Sequence, residues 1–221
     1  ALMRRYWQPA ALASEIPSGG APMPVRLLGE DLALFRDELG RPGLLGIHCA
    51  HRAADLSYGR VEDGGLRCLY HGWLYDIHGN CLDQPGEPEG STFKDKVKHL
   101  AYPAVERGGL IFAYLGDGET PTLPPYEAFD VPETQRSVYK VRQDCSYLQG
   151  NEGNIDPQHL SFLHSLGRPG DVNQSLNAKV TAPYMELGDT DFGISIYAVR
   201  KVDEENSYVR VSNFVMHNLA A

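Results

Sequence analysis

Two short stretches of the chain set soft metal donors at close spacing. "GIHCAHR" (46–52) offers Cys49 and His51 as Cys-x-His, and "CLYHGW" (68–73) offers Cys68 and His71 as Cys-x-x-His, with sixteen residues between His51 and Cys68. Four such donors on paired loops suit zinc or an iron–sulfur cluster. A zinc finger groups its cysteines and histidines in separate blocks, whereas here each block holds one of each.

Mixed blocks suit a Rieske-type [2Fe–2S] centre, in which two thiolates hold one iron and two imidazoles the other, and which relays single electrons. Structural zinc and chance burial of Cys and His are the competing readings. A second constellation lies in "EGNIDPQHLSFLH", where Asp156, His159 and His164 fall within nine residues. Two histidines with a carboxylate can hold Fe(II) with positions open for O₂, and oxygen activation needs the electrons a Rieske centre delivers. Asp156, one turn before His159, is placed to hydrogen-bond an imidazole and fix its orientation. Five residues at 100° each separate His159 from His164 by about 140° on an ideal α-helix, so a π-bulge or other distortion is expected between them.

The elements that must position these residues are short. "PVRLLGEDLALFRDELGRPGLLGIHC" breaks apolar runs at Gly-Glu-Asp and Leu-Gly-Arg-Pro-Gly, as successive hairpins would. Turns at Asp63-Gly64-Gly65 and His78-Gly79-Asn80, then the hairpin "YPAVERGGLIFAYLG", continue the habit. Residues 1–117 therefore read as one antiparallel β domain. Pro and Gly concentrate in 118–136, which reads as a linker. In 137–221, "SVYKVRQDCSYLQG" reads as a strand, "NIDPQHLSFLHSLG" as a helix with Pro157 in its first turn, and 180–217 as an antiparallel meander. The fold class expected is α+β: an all-β domain followed by a helix-plus-antiparallel-sheet domain that is incomplete.

The 221 residues carry a net charge of −9 without long blocks of either sign, which argues against nucleic acid or an anionic membrane as partner. No apolar run reaches the length of a membrane helix and "ALMRRYWQPA" lacks the order of a signal peptide, so a cytoplasmic protein is expected. Ala1 is not expected to be the encoded start. Cys81 and Cys145 are expected as buried thiols, Trp73 as apolar cover for the cluster, and His48, His78, His99 and His217 have no partner pattern. GxGxxG, GxxxxGK[ST] and GxSxG are absent, so the chain shows no site of its own for NAD or flavin.

"HCAHR" with "CLYHGW" resembles the cluster motif of the Rieske non-haem iron oxygenases in every ligand position. Respiratory Rieske proteins add a cysteine after each motif, where Ala53, Ala54, Trp73 and Leu74 stand here. "LMRRYWQPA", the run from "LLGEDLALF" to "GNCLDQP" and the paired-histidine segment look most like the phthalate dioxygenase branch. The resemblance implies a [2Fe–2S] cluster on Cys49, His51, Cys68 and His71, and a mononuclear Fe(II) on His159 and His164. It implies Asp156 as a bridge to a Rieske histidine of the neighbouring subunit in a head-to-tail trimer, along His71, Asp156 and His159. It further implies O₂ and an aromatic, often carboxylated substrate, hydroxylated or O-demethylated, with electrons from NADH through a separate flavin/iron–sulfur reductase. The family's third iron ligand is an acidic residue far downstream. Asp171, Asp189 and Asp191 are the nearest candidates and do not match its position, so the chain is expected to be part of a longer polypeptide. The rival expectation is a Rieske ferredoxin-like electron carrier with no chemistry of its own.

Overall fold

The structure is a computed structural model that describes residues 2–164, 176–177, 180–217 and 219–220. The chain divides into two compact units, Ala1–Lys140 and Val141–Ala221. No helix among the described residues is long and apolar enough to cross a membrane.

The strands of the first unit pair antiparallel throughout. In chain order they are β1 (Trp7–Leu12), β2 (Met23–Leu27), β3 (Glu30–Arg36), β4 (Pro42–Gly46), β5 (Arg60–Glu62), β6 (Gly65–Arg67), β7 (Leu74–Tyr75), β8 (Cys81–Asp83), β9 (Ala101–Tyr102), β10 (Ala104–Arg107) and β11 (Leu110–Tyr114). Three sheets result, ordered β2-β3-β4-β9, β5-β6-β7-β8 and β1-β11-β10. The β5–β6 turn places Asp63 and Gly64 at φ 52° and 78°, and the β10–β11 turn places Gly108 and Gly109 at 65° and 83°. Two successive left-handed residues match the strand twist of a two-residue hairpin. The first break differs slightly from the sequence reading: the turn is Leu28-Gly29, and Glu30 already begins β3.

β3 and β4 form a wall between two cores. Ala33, Phe35 and Leu45 face the cluster that contains Cys49, Leu56, Leu66, Cys68, Trp73 and Tyr75. Leu32, Leu34 and Leu44 face the other way, onto Ile16, Ile111 and Leu115. The period-2 alternation of a strand with both faces covered explains why "LALF" reads as an unbroken apolar run. Each of the leucines and Phe35 contributes about 1.5–3 kcal/mol on burial.

Residues 118–136 pack with the first unit. The short helix α1 (Glu127–Asp130) sets Phe129 against Phe112, ring centroids 5.3 Å apart, and Trp7 Nε1 donates to the Pro121 carbonyl at 2.9 Å.

The second unit corrects two expectations. Residues 137–145 form no strand, and the helix lies earlier than expected, as α2 (Tyr147–Ile155), with the Ser146 hydroxyl accepting from the Gln149 N–H at its start. α2 stops at Asp156, which is extended (φ −81°, ψ 110°) because a residue before proline is driven out of the helical region. His159–Ser161 then form only a 3₁₀ turn. The meander is present as β12 (Tyr184–Thr190), β13 (Gly193–Lys201), β14 (Ser207–Val215) and β15 (Leu219–Ala220), paired in that order. Cys81 is buried as expected, but Cys145 is exposed because it lies in the irregular approach to α2 rather than in a strand.

Candidate metal centres

The two donor loops of the first unit share one backbone design. In the first, the Cys49 N–H donates to Ala54 O at 2.8 Å and the Ala53 N–H returns to Cys49 O at 2.8 Å. In the second, the Cys68 N–H donates to Trp73 O at 2.8 Å and the Gly72 N–H returns to Cys68 O at 3.0 Å. The fourth residue after each cysteine is left-handed, Ala53 at φ 54° and Gly72 at φ 76°. Each loop thus curls back over its own cysteine, and the histidine inside the curl projects from the tip. The first loop leaves the end of β4 and the second joins β6 to β7, so sheets on opposite sides of one core present them.

Side chains meet in like pairs. Cys49 and Cys68 are buried free thiols, and burial, followed by the neighbouring Cys49, pushes the Cys68 thiol up. The His51 and His71 rings lie 4.5 Å apart between centroids at 67°. Trp73 stacks on His51 at 4.7 Å with planes 6° apart, and Tyr70 packs on His71 at 3.9 Å. Burial, then the adjacent His71, holds the His51 imidazole below its usual value, which favours the neutral, ligating form.

His51 Nδ1 is buried and makes no hydrogen bond. Buried polar atoms are almost always paired, so an orphan nitrogen beside two unbridged buried thiols is what a donor set awaiting a metal shows. The residues fit a [2Fe–2S] cluster of Rieske type, two thiolates to one iron and two imidazoles to the other. Among the described residues no three His, Cys, Asp or Glu side chains close on one point. A donor set that offers two groups per iron has no reason to.

Three further residues support these loops, and sequence reasoning missed all three. The Tyr75 hydroxyl lies 3.2 Å from Cys49 Sγ, its own ionisation pushed far up by burial and by Cys49. Arg67 Nη1 donates to Gly72 O and to Asp83, both at 2.7 Å, while its other nitrogens pair with Glu62 and with Asp63 at 3.1 Å. It pins the second loop to β8. His99 Nε2 lies 2.7 Å from Gly46 O, with its ring 4.7 Å from Tyr75, and burial holds its pKa below the usual value. The available signal was an arginine next to Cys68 with three acidic residues nearby; Tyr75 and His99 had none.

In the second unit, His159 lies against both Asp156 and His164. Asp156 Oδ1 accepts from the Gln158 N–H at 2.7 Å; Oδ2 accepts from the His159 N–H at 3.3 Å and lies 3.3 Å from His159 Nδ1. The His159 and His164 rings are 5.3 Å apart between centroids. The expected distortion is a 3₁₀ turn rather than a π-bulge: the Phe162 and Leu163 N–H groups both donate to His159 O, at 3.1 and 2.8 Å. Neighbouring imidazoles on so tight a turn fit a shared divalent iron. Asp189, near the end of β12, and Asp191, in the β12–β13 turn, are exposed, and Asp171 lies outside the described residues.

A family model, "Rieske [2Fe-2S] domain", matches residues 6–101. The 3-chlorobenzoate-3,4-dioxygenase oxygenase subunit of Comamonas testosteroni is 36% identical, over 97% of this chain and 51% of its own length. The phthalate 4,5-dioxygenase oxygenase subunit of Pseudomonas putida is 37% identical, over 97% of this chain and 52% of its own. The crystal structure of dicamba monooxygenase bound to dicamba superposes with a TM-score of 0.69 at 27% identity, over 89% of this chain and 56% of that one. The chain carries a Rieske [2Fe–2S] domain and over nearly all of its length is similar to oxygenase subunits of Rieske non-haem iron oxygenases, that of phthalate dioxygenase among them. The family's cofactors are a Rieske [2Fe–2S] cluster and a mononuclear iron. The chain spans about half the length of the curated relatives it matches.

Proposed function

We propose that this chain forms part of the terminal oxygenase of a cytoplasmic multicomponent system that hydroxylates or O-demethylates an aromatic, carboxylated substrate with O₂. Electrons come from NADH through a separate flavin/iron–sulfur reductase. The cluster domain occupies 1–117 and the catalytic domain begins at 137, with 118–136 between them. Cys49, His51, Cys68 and His71 hold the cluster; His159 and His164 hold the mononuclear iron. When bound, the cluster supplies single electrons and the mononuclear iron activates O₂. Trp73, itself buried, covers one face of the His51 imidazole, and Tyr70 packs on the His71 ring.

The observation that carries the reading is the presence of both donor sets in one chain, the first brought together from two separate loops and the second on one tight turn. Asp156 supports its ligand His159 through the contact to Nδ1. A carboxylate offers about four acceptor positions, of which its backbone and imidazole contacts use three. The position left over suits an imidazole N–H of the partner subunit's His71 in a head-to-tail trimer.

The test is metal content after anaerobic reconstitution with Fe(II). An iron-to-labile-sulfide ratio of about three to two is expected, against two to two for an electron carrier alone. His159→Ala is expected to lose the third iron and product formation while the visible spectrum of the cluster survives. Unchanged turnover in that variant would sink the proposal.

A further inference from the structure

β13 turns Ile196, Ala198 and Arg200 to its buried side in strict alternation. Position 200 is therefore one where the strand pattern calls for an apolar residue. It holds a fully buried guanidinium instead.

Among the described residues no carboxylate pairs with it. Nη2 donates to Pro157 O at 2.7 Å, Nε donates to Val180 O at 3.2 Å, and Nη2 also lies 3.5 Å from Ser161 Oγ. Nη1 is buried and makes no hydrogen bond. A buried cation held by neutral carbonyls, with one donor unpaired, is a costly way to gain stability, and an apolar residue of similar volume would serve that purpose better.

What the side chain does hold is the turn between the iron-site residues. Pro157 follows Asp156, and Ser161 closes the 3₁₀ turn that His159 opens. Pro157 has no N–H to give, and α2 has already ended, so no helical ladder fixes this segment from within. β13 is hydrogen-bonded along most of its length on both sides, to β12 and to β14, whereas β14 meets β15 over two residues only. Through one guanidinium that strand grips the turn at Pro157 and abuts it at Ser161, and it also anchors the chain at Val180.

We propose that Arg200 is a positioning residue that fixes the Pro157–Ser161 turn to the central strand, so that His159 stands at ligating distance from the metal it shares with His164. The inference rests on the mononuclear-iron reading given above and deepens it. Its effect is on metal affinity, before any turnover.

The experiment uses the full-length protein with its cluster intact and the mononuclear site emptied, titrated anaerobically with Co(II) as a spectroscopic probe. Arg200→Met is expected to weaken Co(II) binding by about 10- to 100-fold, as loss of groups that orient metal ligands does, while the cluster spectrum and melting temperature stay near wild type. Arg200→Lys, able to reach one carbonyl only, is expected to fall between the two. Wild-type affinity in Arg200→Met overturns the inference. Should that variant fail to fold, Arg200→Lys decides: weakened binding supports the tether and wild-type binding overturns it. A wild-type protein that takes up no Co(II) beyond its cluster would instead overturn the iron site itself, and the inference with it.

Discussion

Tyr75 shows how a single residue tunes a site it does not ligate. Its hydroxyl, 3.2 Å from Cys49 Sγ, donates to the sulfur once that sulfur is a thiolate, and a donor withdraws charge from it and favours the reduced cluster. Tyr75→Phe removes the donor and leaves the ring in its core. A neutral hydrogen bond contributes on the order of 1 kcal/mol, so the midpoint potential is expected to fall by roughly 40 mV for a one-electron couple. Protein-film voltammetry reads this directly, and an unmoved potential would mean that the hydroxyl is bonded elsewhere. The four cluster ligands were legible in the sequence because thiolate and imidazole stand at fixed short spacing within each loop. Tyr75 was not, since it acts on a sulfur 26 positions away, nor was His99, which meets a carbonyl 53 positions away. Such partnerships exist only after the sheets have folded over one another.

At the scale of elements, turn chemistry made the first unit readable and its lack obscured the second. Asp63-Gly64 and Gly108-Gly109 announce hairpins because few other residue pairs accept two left-handed conformations in succession. In 137–155 no comparable marker separates strand from helix, and α2 contains Gly150 and Gly153, which weaken its helical pattern. Pro157 was read as a helix start when it acts as a stop, because its effect on Asp156 outweighed its own suitability for a first turn. The loop of Cys68 and His71 depends on an element contact of another kind, the bridge from β6 to β8 through Arg67. Arg67→Lys keeps the charge but cannot reach Gly72 O and Asp83 together, as the planar guanidinium does. The variant is expected to fold and to bind its cluster, yet to lose it several-fold faster under a chelator, followed by decay of visible absorbance. Equal decay rates would show that the backbone curl from Cys68 to Trp73 holds the loop unaided.

At the scale of the whole molecule, the donor sets sit in separate compact units, so electron delivery depends on how units meet in the assembled protein. The route proposed above runs across subunits, from His71 of one to His159 of another through Asp156. Complementation separates this route from delivery within one subunit. Cys68→Ser abolishes the cluster and His159→Ala abolishes the mononuclear site, so each variant alone is expected to be inactive. Co-assembled in equal amounts, a head-to-tail ring pairs an intact cluster with an intact iron site at about one interface in four, which restores about a quarter of wild-type turnover. Delivery within a subunit restores none, because no subunit of the mixture has both sites. Adding Asp156→Asn to the Cys68→Ser chain then isolates the bridge: it removes the carboxylate from the side that accepts electrons, and recovery is expected to collapse although both metals remain bound. Recovery that persists through that change would route the electron around Asp156.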